Sequence, residues 1–517
     1  KHMMTTSQVR VRFAPSPTGP LHMGGVRTAL YNYLFARAHG GKFLLRIEDT
    51  DQTRYVEGAE DYVREALNWC GIEIDEGVVA GGEFKPYRQS ERNALYREAV
   101  ELLLISGHAY MAFDTPEELN ALRKQAESEK NVFQYDASSR GNLKNSLSMG
   151  EEEVEALIEN ETPYIVRFRT PDKAEDITFT DEIRGKISIS SAVVDDKVLV
   201  KADGLPTYHL ANVVDDYGME ISHVIRGEEW LPSAPLHIML YRAFGWDAPK
   251  FAHLSLILKP TGNGKLSKRD GDAGGFPVFP IEWKDPKTGK IASGYRERGY
   301  EPEAFINMLL MLGWNPGDER ELFTIEEASK IFSLDKVVKS GARFSPDKAR
   351  WFNEQYLRAK QPAELVPALT ELASFNGMDL NGVNAEVVLR LMLERVSFLH
   401  EVLDAKWLFG APLKEDFDGK MVRKKWKPET VGYMTGLKSM LSNIEPFKAD
   451  EIEAQFKSHL KENALGFGQV LLPFRLALTG SGGGPSMFDF AEFLGLEKTL
   501  ERIDYGIGVI ENILLEE

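Results

Sequence analysis

The stretch that most constrains this chain is Arg10–Gly25, read Arg-Val-Arg-Phe-Ala-Pro-Ser-Pro-Thr-Gly-Pro-Leu-His-Met-Gly-Gly. Val9, Val11 and Phe13 alternate with Arg10 and Arg12, which is the two-residue period of a strand. Pro15, Pro17, Gly19 and Pro20 then break that strand into a rigid turn. Beyond the turn, Val26, Ala29, Leu30, Tyr33 and Leu34 recur at helical spacing and make one apolar face, and Lys42–Ile47 reads as a second strand. Strand, proline-stiffened loop, helix and strand take the form of a right-handed parallel crossover.

Chemistry is expected where the loop meets the helix. Gly24 and Gly25 carry no side chains, so a flat or phosphorylated ligand can approach the backbone. The first amides of a helix are expected to be unpaired and to face an anion, with His22 adding a donor. Singly these features stay ambiguous, because a glycine pair also marks tight packing and a lone histidine is often structural. In combination, Ala14-Pro-Ser-Pro-Thr-Gly followed by Leu21-His22-Met23-Gly24-Gly25 resembles the first signature of the class I aminoacyl-tRNA synthetases, in the form of the glutamyl branch.

At 517 residues the chain has room for two to four domains and a large core. Its 43% hydrophobic and 27% charged content is that of a globular protein, and no apolar run approaches a membrane span. Lys1-His2-Met3 has the form of a cloning remnant, no signal peptide is expected, and the cytoplasm is the expected compartment. The single cysteine, Cys70, sits in an apolar helical context and reads as core; one cysteine forms no internal disulfide and no cysteine-cluster zinc site. A net charge of −17 runs against a nucleic-acid partner, so RNA would have to meet local basic patches.

Further along, Arg46-Ile47-Glu48-Asp49-Thr50-Asp51 places carboxylates at a strand end, where open α/β sheets bind ligands, although Asp49 and Asp51 also suit a helix start. The resemblance implies that Glu48 meets the amino group of the substrate amino acid. From 110 to 205 helical, Glu-rich pieces such as Glu151–Glu159 alternate with strand-like ones at Tyr164–Arg169 and Val193–Val200. In the family this is an insertion that holds the acceptor end of tRNA; without cysteines, no zinc is expected here. Asp203–Asn212 and Val224-Ile-Arg-Gly-Glu-Glu-Trp230 also resemble glutamyl segments. A guanidinium matches a carboxylate through two parallel hydrogen bonds and fits an amide poorly, so Arg226 favours glutamate over glutamine. From the segment alone, Arg226 could equally pair with Glu228 or Glu229. The resemblance puts Tyr208, Asn212, Arg12, Ala14 and Ser16 in the same glutamate pocket, with Gly24, Gly25 and Trp230 at ATP.

After an apolar strand at Leu254–Leu258, Lys265-Leu266-Ser267-Lys268-Arg269 resembles the second class I signature. It is no Walker loop, because Lys259 and Leu266 stand where that pattern needs glycine and Ser or Thr. Lys265 and Lys268 are expected to close over a leaving pyrophosphate. The 272–299 stretch has no evident role. Stripes at Phe305, Met308, Leu309, Leu312 and at Leu389, Met392, Leu393, Val396, Leu399, Leu403 read as core. Between them, residues 336–360 hold seven basic residues against two acids, with Trp351, Phe352 and Tyr356 interleaved. That mix suits RNA, and Arg343, Lys348, Arg350 and Arg358 are the candidate contacts; a basic flank on a helical bundle is the alternative.

Together the resemblance implies an α/β fold: a Rossmann-like parallel-sheet catalytic domain split by an α+β insertion and followed by an all-α anticodon-binding region. The expected spans are 8–109, 110–205, 206–260, 261–330 and 331–517. Two-step attachment of glutamate to tRNA(Glu) with ATP and Mg2+ is the implied activity, in a monomer. The competing classes are a glutaminyl enzyme, which resembles a β-barrel at its C-terminus, a small-molecule nucleotidyltransferase, and a non-catalytic RNA-binding relative.

Overall fold

The computed structural model describes residues 7–516, so Lys1-His2-Met3 lie outside the described residues. The chain divides into two compact units, one reaching residue 298 and including 302–349, the other made of 299–301 and 350–517.

The first unit opens with β1 (Arg10–Phe13), α1 (Met23–Ala38), β2 (Lys42–Leu45), α2 (Ala59–Trp69) and α3 (Asn93–Ile105). β1 and β2 run parallel, from Arg10 opposite Lys42 to Phe13 opposite Leu45, as the crossover requires. There follow β3 (Ala109–Ala112), α4 (Pro116–Ser128), α5 (Glu151–Glu159), β4 (Ile165–Phe168), β5 (Asp176–Asp181), β6 (Gly185–Ser190) and β7 (Val198–Val200). The chain continues through α6 (Tyr208–Gly218), β8 (His223–Gly227), α7 (Ala234–Phe244), β9 (Lys250–Leu254), β10 (Ile257–Leu258) and α8 (Lys268–Gly274). The last elements are β11 (Trp283–Lys284), β12 (Ile291–Ala292), α9 (Pro302–Met311), α10 (Ile325–Ile331) and β13 (Ala342–Arg343), and α11 (Pro346–Ala359) begins in this unit and ends in the second.

β8 and β9 are parallel, and β5 joins β9 through Asp181 opposite Phe251. The Ser222 amide donates to Arg10 O at 2.9 Å, tying the start of β8 to β1. The strands therefore run β2, β1, β8, β9, β5, β6. Every residue of β1 is buried, Arg10 and Arg12 included. The arginines that look like a wet face instead sit inside, each against a carboxylate, Glu76 and Asp216. β3, β4 and β7 make a separate antiparallel sheet, with the exposed α5 beside it in sequence. The β5–β6 hairpin, although within 110–205, belongs to the catalytic sheet.

The apolar run 254–258 is not one strand. β9 ends at Leu254, Glu228 accepts the Leu256 amide at 3.2 Å, and β10 pairs instead with β13. That pairing also keeps residues 342–343 with the first unit, so the division falls at 349/350 and not at the expected 331. The 272–299 excursion is a packed element: the Tyr62 hydroxyl donates to Ile281 O at 2.5 Å, and its ring meets Trp283 edge-on at 5.4 Å. Cys70 is buried.

The second unit is helical, with no strand among its described residues. The 389–403 stripe is buried as expected, but the helix stops at Met392. Asn353 Nδ2 donates to Ser397 O at 2.6 Å, and Glu401 accepts the Ser397 and Phe398 amides at 3.1 and 2.9 Å, which hold the chain extended there. Gly480, at φ 72°, ends the helix Phe467–Thr479, a conformation glycine takes without strain. No described helix of either unit is long and apolar enough to cross a membrane.

Candidate active site

A cleft of about 830 Å3 opens at the C-terminal ends of β1, β8 and β9, the place where parallel sheets bind ligands. Arg12, Ala14, Ser16, His22, Gly24, Gly25, Glu48, Tyr208, Arg226, Trp230 and Lys265 line it. Two expected residues do not. Asn212 lies one helical turn beyond Tyr208, buried, its Nδ2 without a partner among the described residues. Lys268 opens α8 on the surface and reaches Asp272 at 3.3 Å.

The floor near α1 corrects one expectation. The first amides of α1 are not left for an anion: Met23 N–H donates to Val278 O at 2.8 Å, Gly24 N–H to His22 Nδ1 at 3.1 Å and Gly25 N–H to His22 O at 2.8 Å. The excursion supplies the first of these acceptors, which a reading of 8–47 alone could not foresee. Gly25 is a packing glycine, since a Cβ there would lie 2.5 Å from Leu21 Cδ1. The free donor is His22 itself. Because Nδ1 accepts, the proton sits on Nε2, which is buried without a partner among the described residues. Burial first, and Lys265 second, hold this imidazole down to about 4, so it is neutral at physiological pH. His22 and Lys265 line the same cleft across some 240 positions of sequence.

Lys265 stands on a narrow hairpin: Leu266 N–H donates to Ile257 O at 2.9 Å and Lys259 N–H to Gly264 O at 3.1 Å. Arg343, expected at RNA, pins this loop by donating to Lys259 O and Gly262 O, both at 2.8 Å.

The far wall is built on Arg226. Its Nε donates to His253 Nε2 at 3.1 Å, and its Nη1 to Tyr208 Oη at 3.2 Å and His237 Nδ1 at 3.1 Å. Nη2 is buried with no partner among the described residues. The surface pairing that the segment allowed, with Glu228 or Glu229, does not occur among the described residues: Arg226 is buried, and Glu228 pairs with Arg184 at 2.7 Å. Tyr208 in turn stacks on Trp230 with ring centroids 4.0 Å apart. Buried guanidiniums ordinarily have a carboxylate partner. This one meets two imidazoles and a phenol.

Beside it lies an acid–base cluster. Glu48 is buried against Arg46 at 3.3 Å, and burial raises its carboxyl above the ordinary range despite Arg46 and Arg12. Arg12 and Arg46 both hold Asp216, at 2.8 and 2.7 Å. The neighbouring Asp215 holds Arg92 at 2.6 Å and Tyr96 Oη at 2.6 Å. Asp215, Asp216, His237 and His253 are the residues that sequence reasoning missed. The signal was present: adjacent aspartates on an otherwise apolar helix, and histidines inside apolar runs, must find partners. Asp49 and Asp51 do local work, accepting from Ser90 and from Thr53 and Arg54.

The basic candidates are mostly compensated. In the first unit Lys348 pairs with Glu321. In the second, Arg350 lies 3.8 Å from Glu401 and Arg358 3.7 Å from Glu354, while Phe352 is buried and offers no stacking face. No group of three or more potential metal ligands occurs among the described residues.

Residues 8–351 match the family model described as class I tRNA synthetases (E and Q), catalytic domain, and 355–507 match that of an anticodon binding domain. Curated relatives include glutamate–tRNA ligases from Christiangramia forsetii, 52% identical over 98% of this chain and 100% of theirs, and from Porphyromonas gingivalis, 53% identical over 98% and 100%. Among solved structures, a glutamate tRNA ligase of Elizabethkingia meningosepticum in complex with its amino acid superposes with a TM-score of 0.91 at 51% identity, covering 97% of this chain and 99% of that one. A glutamate–tRNA synthetase of Elizabethkingia anophelis gives 0.90 at 50%, covering 97% and 100%.

Proposed function

Since the chain belongs to the class I tRNA synthetases of the glutamate and glutamine type, we propose from its cleft that it is a glutamate–tRNA ligase working on tRNA(Glu) in the cytoplasm. The observation that carries the amino acid's identity is Arg226, a buried guanidinium on the cleft wall with no carboxylate partner among the described residues. The side-chain carboxylate of glutamate supplies that partner; the amide of glutamine would leave a buried charge unmatched. Glu48 takes the substrate ammonium, and Tyr208, Arg12, Ala14 and Ser16 complete the pocket, with Asn212 supporting it from beneath.

ATP enters as its Mg2+ complex and lies over Gly24 and Gly25 towards Trp230. An α-carboxylate oxygen of glutamate attacks the α-phosphorus, the bond to the bridging oxygen breaks, and pyrophosphate leaves. His22 Nε2–H and Lys265 stabilise the charge that develops on the phosphates, with Lys268 brought in from the rim. The 2′-hydroxyl of the terminal adenosine then attacks the adenylate carbonyl, the acyl–phosphate bond breaks, and AMP leaves with the hydroxyl proton on its phosphate. Positioning and charge stabilisation carry both steps, and no side chain is assigned as a general base. Charging purified tRNA(Glu) with labelled glutamate and with glutamine tests the reading: glutamyl-tRNA alone is expected, and equal charging with glutamine would defeat it.

A further inference from the structure

Arg226 is more than a cation on a wall, because what surrounds it decides whether its charge is free. His253 accepts from Nε at its own Nε2, so its proton sits on Nδ1, which faces Asp181 Oδ2 at 2.6 Å. Asp181 is itself fixed, its Oδ1 accepting the Ile183 and Arg184 amides at 2.9 Å each. On the other side His237 accepts at Nδ1, so its proton sits on Nε2, 3.0 Å from His209 Nδ1. An imidazolium has no lone pair to offer a guanidinium, so both rings must be neutral to hold these bonds. Both are wholly buried. Burial, before any neighbouring charge, drives His237 well below its ordinary value and lowers His253 as well.

We propose that His253, oriented by Asp181, and His237, oriented by His209, are positioning residues that aim Arg226 without neutralising it. They thereby set the site's preference for a side-chain carboxylate over a carboxamide. A carboxylate at either place would orient the guanidinium equally well but would satisfy its charge, and the substrate would then compete with the protein for it. The two imidazole acceptors, with the Tyr208 phenol, fix the guanidinium's direction and keep its positive charge for the ligand. The negative charge of Asp181 is held one ring away. This rests on the reading that Arg226 meets the side-chain carboxylate.

The experiment takes the full-length enzyme with tRNA(Glu), ATP and glutamate or glutamine, and compares His253→Leu, His253→Gln, His237→Glu and Arg226→Ala. His253→Leu, losing one oriented charge-assisted bond, should raise KM for glutamate about tenfold with KM for ATP and kcat little changed. His253→Gln, whose amide can accept from Arg226 and donate to Asp181, should recover most of that loss. His237→Glu should cut kcat/KM for glutamate about a hundredfold and narrow the glutamate-to-glutamine ratio. The proposal is overturned if His253→Leu moves kcat and KM for ATP as much as KM for glutamate, if His253→Gln restores nothing, or if His237→Glu leaves the ratio unchanged. Arg226→Ala separates the levels: an unaltered glutamate KM there removes the reading of Arg226 itself. A raised KM in Arg226→Ala alone, with the histidine variants silent, removes only the positioning role.

Discussion

At residue level, His22 joins two facts that decide its role: its Nδ1 is occupied by the Gly24 amide, and its Nε2–H has no partner among the described residues. A neutral donor held in place stabilises developing phosphate charge without needing to titrate. His22→Ala should therefore slow single-turnover adenylation by roughly a hundredfold while tRNA affinity holds, as single preorganised donors do elsewhere. An unchanged adenylation rate would contradict it. Arg226→Ala should raise KM for glutamate by losing a pair worth roughly 1.5–3 kcal/mol, read by initial rates at saturating ATP and tRNA. Glu48 adds a pH dependence. Burial lifts its carboxyl above the ordinary range, and only the ionised form holds the substrate ammonium. KM for glutamate should rise as pH is lowered from neutrality towards the carboxylate range, and Glu48→Gln should flatten that slope.

Among the elements, α6 carries the heaviest load. Two adjacent aspartates face different arginines, Asp216 holding Arg12 and Arg46, and Asp215 holding Arg92. They lock β1, the residue that follows β2 and the residue that precedes α3 onto one helix that also bears Tyr208 and Asn212. Burial alone would raise Asp216, but Arg12 and then Arg46 outweigh it and hold its carboxyl below the ordinary value. Its contribution to stability is therefore complete above the unfolded value and lost as pH falls through the lower folded one. Asp216→Asn should cost about 3–5 kcal/mol by stranding the buried Arg12 guanidinium and leaving Arg46 only its 3.3 Å contact with Glu48. In thermal unfolding that deficit should be full at neutral pH and shrink below about pH 4. A deficit that grows in acid would reverse the sign of this argument. The excursion also acts at this scale, since Val278 O takes the first amide of α1 and the Phe279 ring meets His22 edge-on at 6.4 Å.

For the molecule as a whole, a chain of net charge −17 must still hold a polyanion. The basic stretch 336–360 answers this only in part, because several of its cations already have protein partners. Arg350 and Arg358 remain partly exposed, at 47% and 36% of their side chains. Reversing both charges should weaken tRNA binding and lower the slope of log affinity against log salt by about 0.7–0.9 for each phosphate no longer neutralised. Filter binding across a salt series reads it, and an unchanged slope would take both residues out of the interface.

Neighbouring residues were enough to specify the parallel crossover, the buried stripes and the helical C-terminal unit, because each is written in a contiguous run through period and turn chemistry. The two signature loops and the cleft-lining residues from Arg12 to Lys265 were legible through the resemblance to the family, since period and turn chemistry alone left residues such as His22 and Arg226 ambiguous. Long-range packing settled everything else. Arg12 finds Asp216 across 204 positions, Val278 fills the amide of Met23, and Arg343 pins the lysine loop. Packing also broke the run 254–258 and the helical stripe through Leu403, since the Glu228 carboxylate accepts one local amide and the Asn353 side-chain amide donates to a local carbonyl. Above all, it set two neutral imidazoles rather than an acid around Arg226. A buried charge takes its partners from whatever the fold brings within about 3 Å, and no local pattern records that.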